Sequence, residues 1–280
     1  MEVTSEGTVV VVRRAATLED LWAIGKVVAT VAGYQDIHPA VLVSVLHSGG
    51  YVGGAWAGAT CVGGLYGLLG RDGEELILHS EMLAVLPEVQ NLGIARRLKE
   101  DEFAFAWASG LRAVRWTYDP LRARNARLNL ERLGARVRRF IPNMYGELPG
   151  FSSGWETDQF LVECRAEDAS RGGRYLHDPT PDVTMATLPH VMSVKTSLTG
   201  VTELVRYDLK IGAPDMFVEI PASIADIRAR DMDAAHAWRL GLREVIETYF
   251  ARGYRVSGYL GPVTRLLRGG YVLTSLNRRA

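Results

Sequence analysis

The stretch Leu76–Arg97, LILHSEMLAVLPEVQNLGIARR, holds most of the chemistry this sequence offers. An apolar strand is expected to end at Val85, a short loop follows, and Gln90-Asn91-Leu92-Gly93-Ile94-Ala95 opens a helix. A helix start leaves four backbone N–H groups without intrahelical partners, and the macrodipole adds partial positive charge there. Gly93 and the small Ala95 would let a bulky anion come close to the backbone, so the turn suits a pyrophosphate. Arg96 and Arg97 could add charge-assisted contacts. The plainer alternative is a tight strand-to-helix turn with no ligand. Neither of the better-known phosphate loops, G-x-x-x-x-G-K-[ST] or G-x-G-x-x-G, occurs in the chain.

His79 and Glu81 lie two apart on that strand, so they face the same way. An imidazole has an ordinary pKa of about 6.5, close to where a general base works best. Glu81 could orient the imidazole, or act as the base itself if desolvated. Alternatively, both only satisfy polar groups beside a cleft. Farther along, Arg122 and Arg124 flank a turn after Tyr118, where guanidinium groups could grip a carboxylate in bidentate fashion. Exposed arginines in the first turns of a helix explain them as well. His177, His190 and His236 have no partners at metal-ligand spacing, so no metal is expected. No cysteine has a nearby histidine in a motif, and no G-x-S-x-G occurs, so nothing points to a covalent enzyme intermediate.

Composition excludes several classes. The chain has 32 basic and 32 acidic side chains and no basic stripe, which disfavours general nucleic-acid binding. Its two cysteines, Cys61 and Cys164, rule out a disulfide framework and a multi-thiolate zinc site, and they fit a reducing cytoplasm. The opening MEVTSEGTVVVVRRAA lacks a basic leader and does not read as a signal peptide. No window approaches the roughly 20 apolar residues of a membrane span. The expected location is cytoplasmic, with no membrane partner.

The elements that must position these residues follow an alternating α/β pattern. Val9–Arg14 is an expected strand. Thr17 is placed as N-cap of a helix from Leu18, with Asp20 reaching back as a variant capping box and Leu21, Trp22, Val28 and Val31 on apolar positions. Pro39 suits the first turn of a short helix to about Leu46. Glycine-interrupted strands are expected near Tyr51–Trp56 and Thr60–Leu68, a turn at Gly70–Gly73, and a strand over Leu76–Val85. A helix from Gly93 closes at Gly110. Val114–Tyr118 is a strand, Arg122–Arg132 a helix, and Ala135–Ile141 and Trp155–Cys164 further strands. Glu167–Pro181, with Gly172-Gly173 and two prolines, reads as a linker. Beyond it, Met216–Ile220, Tyr254–Leu260 and Gly270–Thr274 read as strands, and Asp231–Arg252 as a long amphipathic helix. That order echoes Leu76–Tyr118 without a glycine-rich turn. Chance could produce the echo, but a degenerate copy of the first domain is the preferred reading.

At the Gln90–Ala95 turn the chain resembles the GCN5-related N-acetyltransferase (GNAT) superfamily, whose hallmark is a strand, then [QR]-x-x-G-x-[GA], then a helix. The element order from Val9 to Cys164 agrees, including two helices after the first strand. Asp119-Pro120-Leu121-Arg122-Ala123-Arg124-Asn125-Ala126, then Asn129, Leu133-Gly134 and Tyr145-Gly146, is similar to a largely uncharacterised branch of predicted acyltransferases. In that branch the strand commonly reads H-S-H-M-L; here it is His79-Ser80-Glu81-Met82-Leu83, a departure at position 81. The resemblance implies an α/β fold with a mixed sheet over residues 1–166; the residue pattern itself places a linker at 167–181 and a smaller α/β domain, read as a degenerate GNAT-like copy, at 182–280. It implies acetyl-coenzyme A or another short acyl-coenzyme A as co-substrate. Pantetheine would lie along the backbone of Leu83, Ala84 and Val85. The pyrophosphate would sit on the amides of Gln90, Asn91, Leu92, Gly93, Ile94, Ala95 and Arg96, with Asn125 meeting the pantetheine arm. His79 falls at or near the family position for a glutamate base. The family's usual general acid, a tyrosine, is replaced by Leu130, so Tyr145 or Tyr118 would substitute, or solvent would protonate the thiolate.

The function these points imply is transfer of an acetyl or other short acyl group, for example succinyl, to the amine of a small molecule such as an amino acid. Arg122 and Arg124 would grip a carboxylate of acceptor or donor. The second domain could close the acceptor side or build a homodimer interface. The alternative is a coenzyme A-binding sensor or scaffold without turnover. A nucleotide ligand fits less well, because the helix after Gly93 lacks the lysine and hydroxyl of Mg²⁺-phosphate chemistry.

Overall fold

A computed structural model describes residues 2–5, 8–33, 37–146, 154–169, 184–197, 200–261 and 269–276. In chain order the elements are β1 (Glu2–Ser5), β2 (Thr8–Arg14), α1 (Leu18–Ala32), α2 (Pro39–His47), β3 (Tyr51–Ala57), β4 (Thr60–Asp72) and β5 (Glu75–Val85). Then come α3 (Ile94–Ala108), β6 (Ala113–Tyr118), α4 (Ala123–Ala126), β7 (Arg136–Ile141), β8 (Gln159–Arg165) and α5 (Ala166–Ala169). The remainder is β9 (Met192–Thr196), β10 (Thr202–Tyr207), β11 (Asp215–Ile220), α6 (Ile224–Arg230), α7 (Met232–Ala251), β12 (Tyr254–Leu260) and β13 (Gly269–Ser275). The mixed α/β class expected from the sequence is what the chain adopts. Among the described residues no helix is long and apolar enough to cross a membrane.

The chain packs as two compact units, Met1–Trp116 with Glu163–Gly172, and Thr117–Val162 with Gly173–Ala280. The first carries a sheet in the order β1-β2-β3-β4-β5-β6-β8. Strands β1 to β5 form an antiparallel meander, and β6 joins β5 in parallel after the α3 crossover. Helix α1 starts as its sequence dictates: Thr17 caps it and Asp20 completes the capping box. Its buried stripe is Leu21, Ile24 and Val28, the i, i+3, i+7 face of a helix. The glycines in β3 and β4 explain how α1 lies so close to the sheet, since a Cβ on Gly64 would stand 2.9 Å from a methyl of Ile24. Trp22 and Val31 were expected on apolar positions, but Trp22 falls off that stripe and Val31 lies in the last turn of the helix, and they are 52% and 38% exposed. Trp22 instead lies near His38, with ring centroids 6.1 Å apart.

Three local expectations are corrected in these elements. Gly70–Asp72 is strand, not turn; β4 pairs with β5 down to Asp72, and the reversal falls at Gly73, which takes the left-handed φ of 60°. The helix expected over Arg122–Arg132 is one α-turn, α4, running into a π-helix over Arg127–Arg132. Trp155–Asp158 is not strand, because Thr157 and Asp158 spend their side chains on the turn at 143–145.

In the second unit β7 neighbours β8, and β11, β12 and β13 form an antiparallel sheet in the order β11-β13-β12. A β9–β10 hairpin and helix α6 were not anticipated from the sequence. The hairpin packs on α7, where Trp238 gives its indole N–H to the Thr202 carbonyl at 2.9 Å. Gly241 leaves room on α7 for Leu204. Strands β11, β12 and β13 repeat a permutation seen at β6, β7 and β8, in that the last strand of three lies between the other two. Of the expected linker, residues 170–181 lie outside the described residues.

Candidate functional site

The site is best built outward from β5. Its antiparallel partner β4 covers the whole strand on one side. On the other side β6 pairs only with Ile77, Leu78 and His79, ending at Arg115. Arg115 is 6% exposed and is tied to Glu163 on β8 at 3.0 Å and to Asp72. Among the described residues no strand pairs with Ser80–Val85 on the β6 side, so the edge through Leu83, Ala84 and Val85 is open there. An open edge presents alternating N–H and C=O groups to any extended chain that lies beside it.

The register of β5 on β4 slips between Tyr66 and Gly67, leaving Glu81 as the extra residue of a β-bulge. Bulges re-aim side chains. Here the Glu81 carboxylate lies 3.3 Å from His79 Nε2, with both side chains about one-third exposed. The hydrogen bond from His79 holds the Glu81 carboxyl below the usual carboxylate range, against the opposing effect of burial. Glu81 is therefore ionised at neutral pH, which suits it to orienting the imidazole better than to taking a proton.

After β5 the chain makes a short 3₁₀ turn at Pro87–Val89 and reaches the Gln90–Ala95 segment. Gln90 turns back and donates its side-chain amide to the Val85 carbonyl at 3.0 Å, closing the loop. Asn91 and Gly93 both take left-handed φ, 67° and 79°. Glycine has that conformation open to it without a Cβ penalty, and an added Cβ at Gly93 would meet nothing within 4 Å, so open space lies above it. Helix α3 starts at Ile94 with Gly93 as N-cap, no side-chain cap and no acidic residue in its first turn. Its first backbone bond runs from Arg97 N–H to the Gly93 carbonyl at 3.2 Å. Among the described residues nothing accepts from the amides of residues 91–96. Arg96 pairs with Glu100 one turn on, at 2.8 Å. The helix mouth is thus not plugged by a side chain.

The remaining expected residues belong to the second unit. Arg122 and Arg124 are exposed, and Asn125 is half-buried where α4 begins. Leu130, which stands where the resemblance implies a tyrosine, is 8% exposed within the π-helix. Tyr118 is buried, and burial pushes its hydroxyl far up, away from the range of a working acid. Tyr145 is 40% exposed, with its hydroxyl 3.1 Å from Thr117 Oγ1 on β6. Its amide donates to Thr157 Oγ1 at 2.9 Å, and the preceding Asn143, at φ 42°, is held by Asp158 at 2.8 Å. Burial pushes the Cys61 thiol up to about 11, so it is no ready nucleophile. Among the described residues no group of three His, Cys, Asp or Glu could hold a metal.

Sequence reasoning missed the bulge at Glu81, the Gln90 loop closure, and Thr117 as partner of Tyr145. Only Gln90 had a visible signal, its place in the motif. A surface depression lined by Glu19, Trp22, Ala23, Lys26 and Ile37 includes none of the expected site residues.

No family model and no curated protein matches the chain. Solved structures do align with part of it. One is yncA of Salmonella typhimurium with its cofactor acetyl-CoA, at 16% identity, covering 62% of this chain and 99% of that one with a TM-score of 0.48. Another is an acetyltransferase of the GNAT family from Streptococcus pneumoniae, at 14% identity, 56% and 99% coverage and a TM-score of 0.45. The NatC complex bound to Gag peptide and CoA aligns at 17% identity, 56% and 98% coverage and a TM-score of 0.45.

Proposed function

We propose that the chain is an N-acyltransferase that moves an acetyl or other short acyl group from an acyl-coenzyme A to the amine of a small molecule, by direct transfer. One observation carries the reading: α3 opens with its amides unclaimed and without a cap or an acidic first turn, next to a strand edge that is also open. Amides at a helix start suit a pyrophosphate, and an open strand edge suits the amide-bearing pantetheine arm. The motif Gln90–Ala95 and its GNAT resemblance agree with that pairing.

In this reading the backbone of Leu83, Ala84 and Val85 holds pantetheine, with Asn125 on the pantetheine arm, and the amides of Asn91 to Arg96 hold the phosphates; the Gln90 amide, expected among them, is instead given to the Pro87 carbonyl at 3.3 Å. His79, oriented by Glu81, takes the proton of the acceptor ammonium. The freed amine attacks the thioester carbonyl carbon, a C–N bond forms and the C–S bond breaks. The attacking nitrogen gives up its second proton to solvent, and the thiolate leaves with a proton from Tyr145 or from solvent. Arg122 and Arg124 take a carboxylate of the acceptor or donor, which suits an amino acid or a succinyl group. A strand edge beside the thioester offers N–H donors to the oxygen as negative charge builds there. The C-terminal α/β region is read as a degenerate copy of the same architecture.

The second reading is a coenzyme A-binding sensor without turnover, favoured by one observation, Leu130 in the place of the expected tyrosine. Calorimetric titration with acetyl-, succinyl- and free coenzyme A tests both readings at once. Ligand at 100 times Kd should stabilise the chain by about 2.7 kcal/mol. Thiol release with pooled amines and amino acids then separates them: acceptor-dependent release supports the transferase, binding without release supports the sensor, and no binding removes both.

A further inference from the structure

Helix α7 carries two arginines one turn apart, and each grips a carboxylate. Arg239 is 1% exposed and gives Nη1 and Nη2 to the two oxygens of Asp119, at 2.9 and 2.7 Å. Arg243 gives Nε and Nη2 to the two oxygens of Asp158, at 3.1 and 2.7 Å. Arg239 Nη1 also stands 3.9 Å from Asp158, so the four side chains form one network. Bidentate guanidinium–carboxylate pairs fix orientation as well as distance.

Those two carboxylates anchor two turns. Asp119 takes the Leu121 amide on its side chain at 2.9 Å and the Arg122 amide on its carbonyl at 2.9 Å. From there the Asn125 amide bonds the Arg122 carbonyl at 2.9 Å. Tyr271 of β13 adds a bond from its hydroxyl to the Pro120 carbonyl at 2.6 Å. Asp158 takes the Asn143 amide, which starts the turn that ends at Tyr145. Buried ionic networks are a weak source of stability, since apolar residues of similar volume often do as well. What such a network does supply is a defined geometry.

We infer that Arg239 and Arg243 are positioning residues for acyl transfer: α7 sets Asn125 through Asp119 and Tyr145 through Asp158. The C-terminal helix is then part of what aims Asn125 at the pantetheine arm and Tyr145 at the leaving thiolate. This rests on the transfer reading above, and it assigns a role to the Asp119-Pro120-Leu121 signature, whose aspartate is the grip point.

The test uses the full chain with Arg239→Lys and Arg243→Lys, which keep the charge and lose the fork. Amide hydrogen exchange should rise by about tenfold or more at Leu121–Asn125 in Arg239→Lys, and at Asn143–Tyr145 in Arg243→Lys, with the rest unchanged. With an acceptor found, kcat should fall by about 10- to 100-fold in Arg243→Lys while Kd for acetyl-coenzyme A stays within about twofold, whereas Arg239→Lys, which loosens Asn125, should raise that Kd as well. Adding Tyr145→Phe to Arg243→Lys should cost little more than either alone. Should a lysine variant fail to fold, Tyr271→Phe removes one hydroxyl and should loosen only Leu121–Asn125. Exchange unchanged at both turns, exchange rising evenly along the chain, or wild-type kcat in the variants would overturn the inference. A wild-type chain that does not bind acetyl-coenzyme A sinks the transfer reading alone, and the exchange data still decide the clamp.

Discussion

Helices α3 and α7 each follow a strand-bearing segment, yet their first turns are built in opposite ways. At α7 the Asp231 carboxylate accepts from the Ala234 amide at 2.9 Å, and Asp233 adds negative charge to the first turn. The shorter α6 before it is capped in the same way by Ser223. At α3 the N-cap is Gly93, no side chain reaches the amides, and arginines occupy the first turn, where the macrodipole favours acids. Where a helix end has only to be stable, the sequence supplies its own acceptor. On the transfer reading, the acceptor missing at α3 is supplied by the phosphates of the donor. If the C-terminal region copies the first domain, this is the feature it has lost.

Four changes would break or sharpen that contrast. Ala95→Glu gives α3 the first-turn carboxylate that α1, α6 and α7 have. It should weaken acyl-coenzyme A binding by at least about 1000-fold, the loss of two or more charge-assisted hydrogen bonds. The same carboxylate should leave the unbound protein equally stable, or more stable by about 0.3–1 kcal/mol. Calorimetry with a thermal melt reads both, and tight binding retained would end the assignment. Gly93→Pro is a poorer test, since φ of 79° is closed to proline and the turn itself would break.

His79→Gln separates holding the donor from using it. Turnover should drop by about 100-fold or more while donor Kd is unchanged. A parallel loss of binding would mean that His79 shapes the turn and not the chemistry.

Asp20 in the α1 capping box offers a pH readout of a helix mouth that closes itself. Hydrogen bonds from Arg13, with further ones from the Ala16 and Thr17 amides, hold its carboxyl down to about 2 against the effect of burial. The folded value lies below the unfolded one, so the stabilisation is whole above about pH 4 and fades as pH falls through about 2. Asp20→Asn should therefore cost about 1–2 kcal/mol at pH 7 and almost nothing near pH 2. A loss that did not depend on pH would point to packing instead. The smallest effect is expected from Asp231→Ala, about 1 kcal/mol of stability with donor Kd unaltered. If that opened mouth gained affinity for acyl-coenzyme A, an uncapped helix would be enough by itself, and the strand edge beside α3 would lose its place in the argument.

What the sequence made legible was what neighbours along the chain decide. Thr17 and Asp20, Pro39 at its helix start, and the glycines closing helices all act within a few residues. The Gln90–Ala95 turn was legible for the same reason. The β9–β10 hairpin was missed because its strands mix exposed Lys195, Arg206 and Val205 with little buried surface, leaving no clean alternation. The π-helix at Arg127–Arg132 has a sequence that reads as ordinary helix. Trp155–Asp158 has a strand-like start, but its polar side chains are taken by a turn a dozen residues earlier. Asp119 and Arg239 are 120 residues apart, and no local pattern connects them. The geometry of the candidate turn was thus readable from local sequence, and the ion pairs between distant side chains were not.

Beneath α3, Lys99 and Glu102 form a pair at 2.7 Å, 2% and 0% exposed, with the ammonium 3.8 Å from the centre of the Trp116 ring. Burial pulls Lys99 down in pKa, while the Glu102 carboxylate opposes that pull. The glutamate sits against Gly67 of β4, where a Cβ would come within 2.8 Å of its oxygen. An apolar helix face can roll on a sheet at little cost, but one keyed by such a pair cannot, because a roll of one residue would strand two ions in hydrocarbon. Helix α3 is therefore indexed in rotational phase, and its free amides point in one fixed direction before any partner arrives. Recognition at that end should resemble seating in a rigid socket, with little of the binding energy drawn off to reorient the helix.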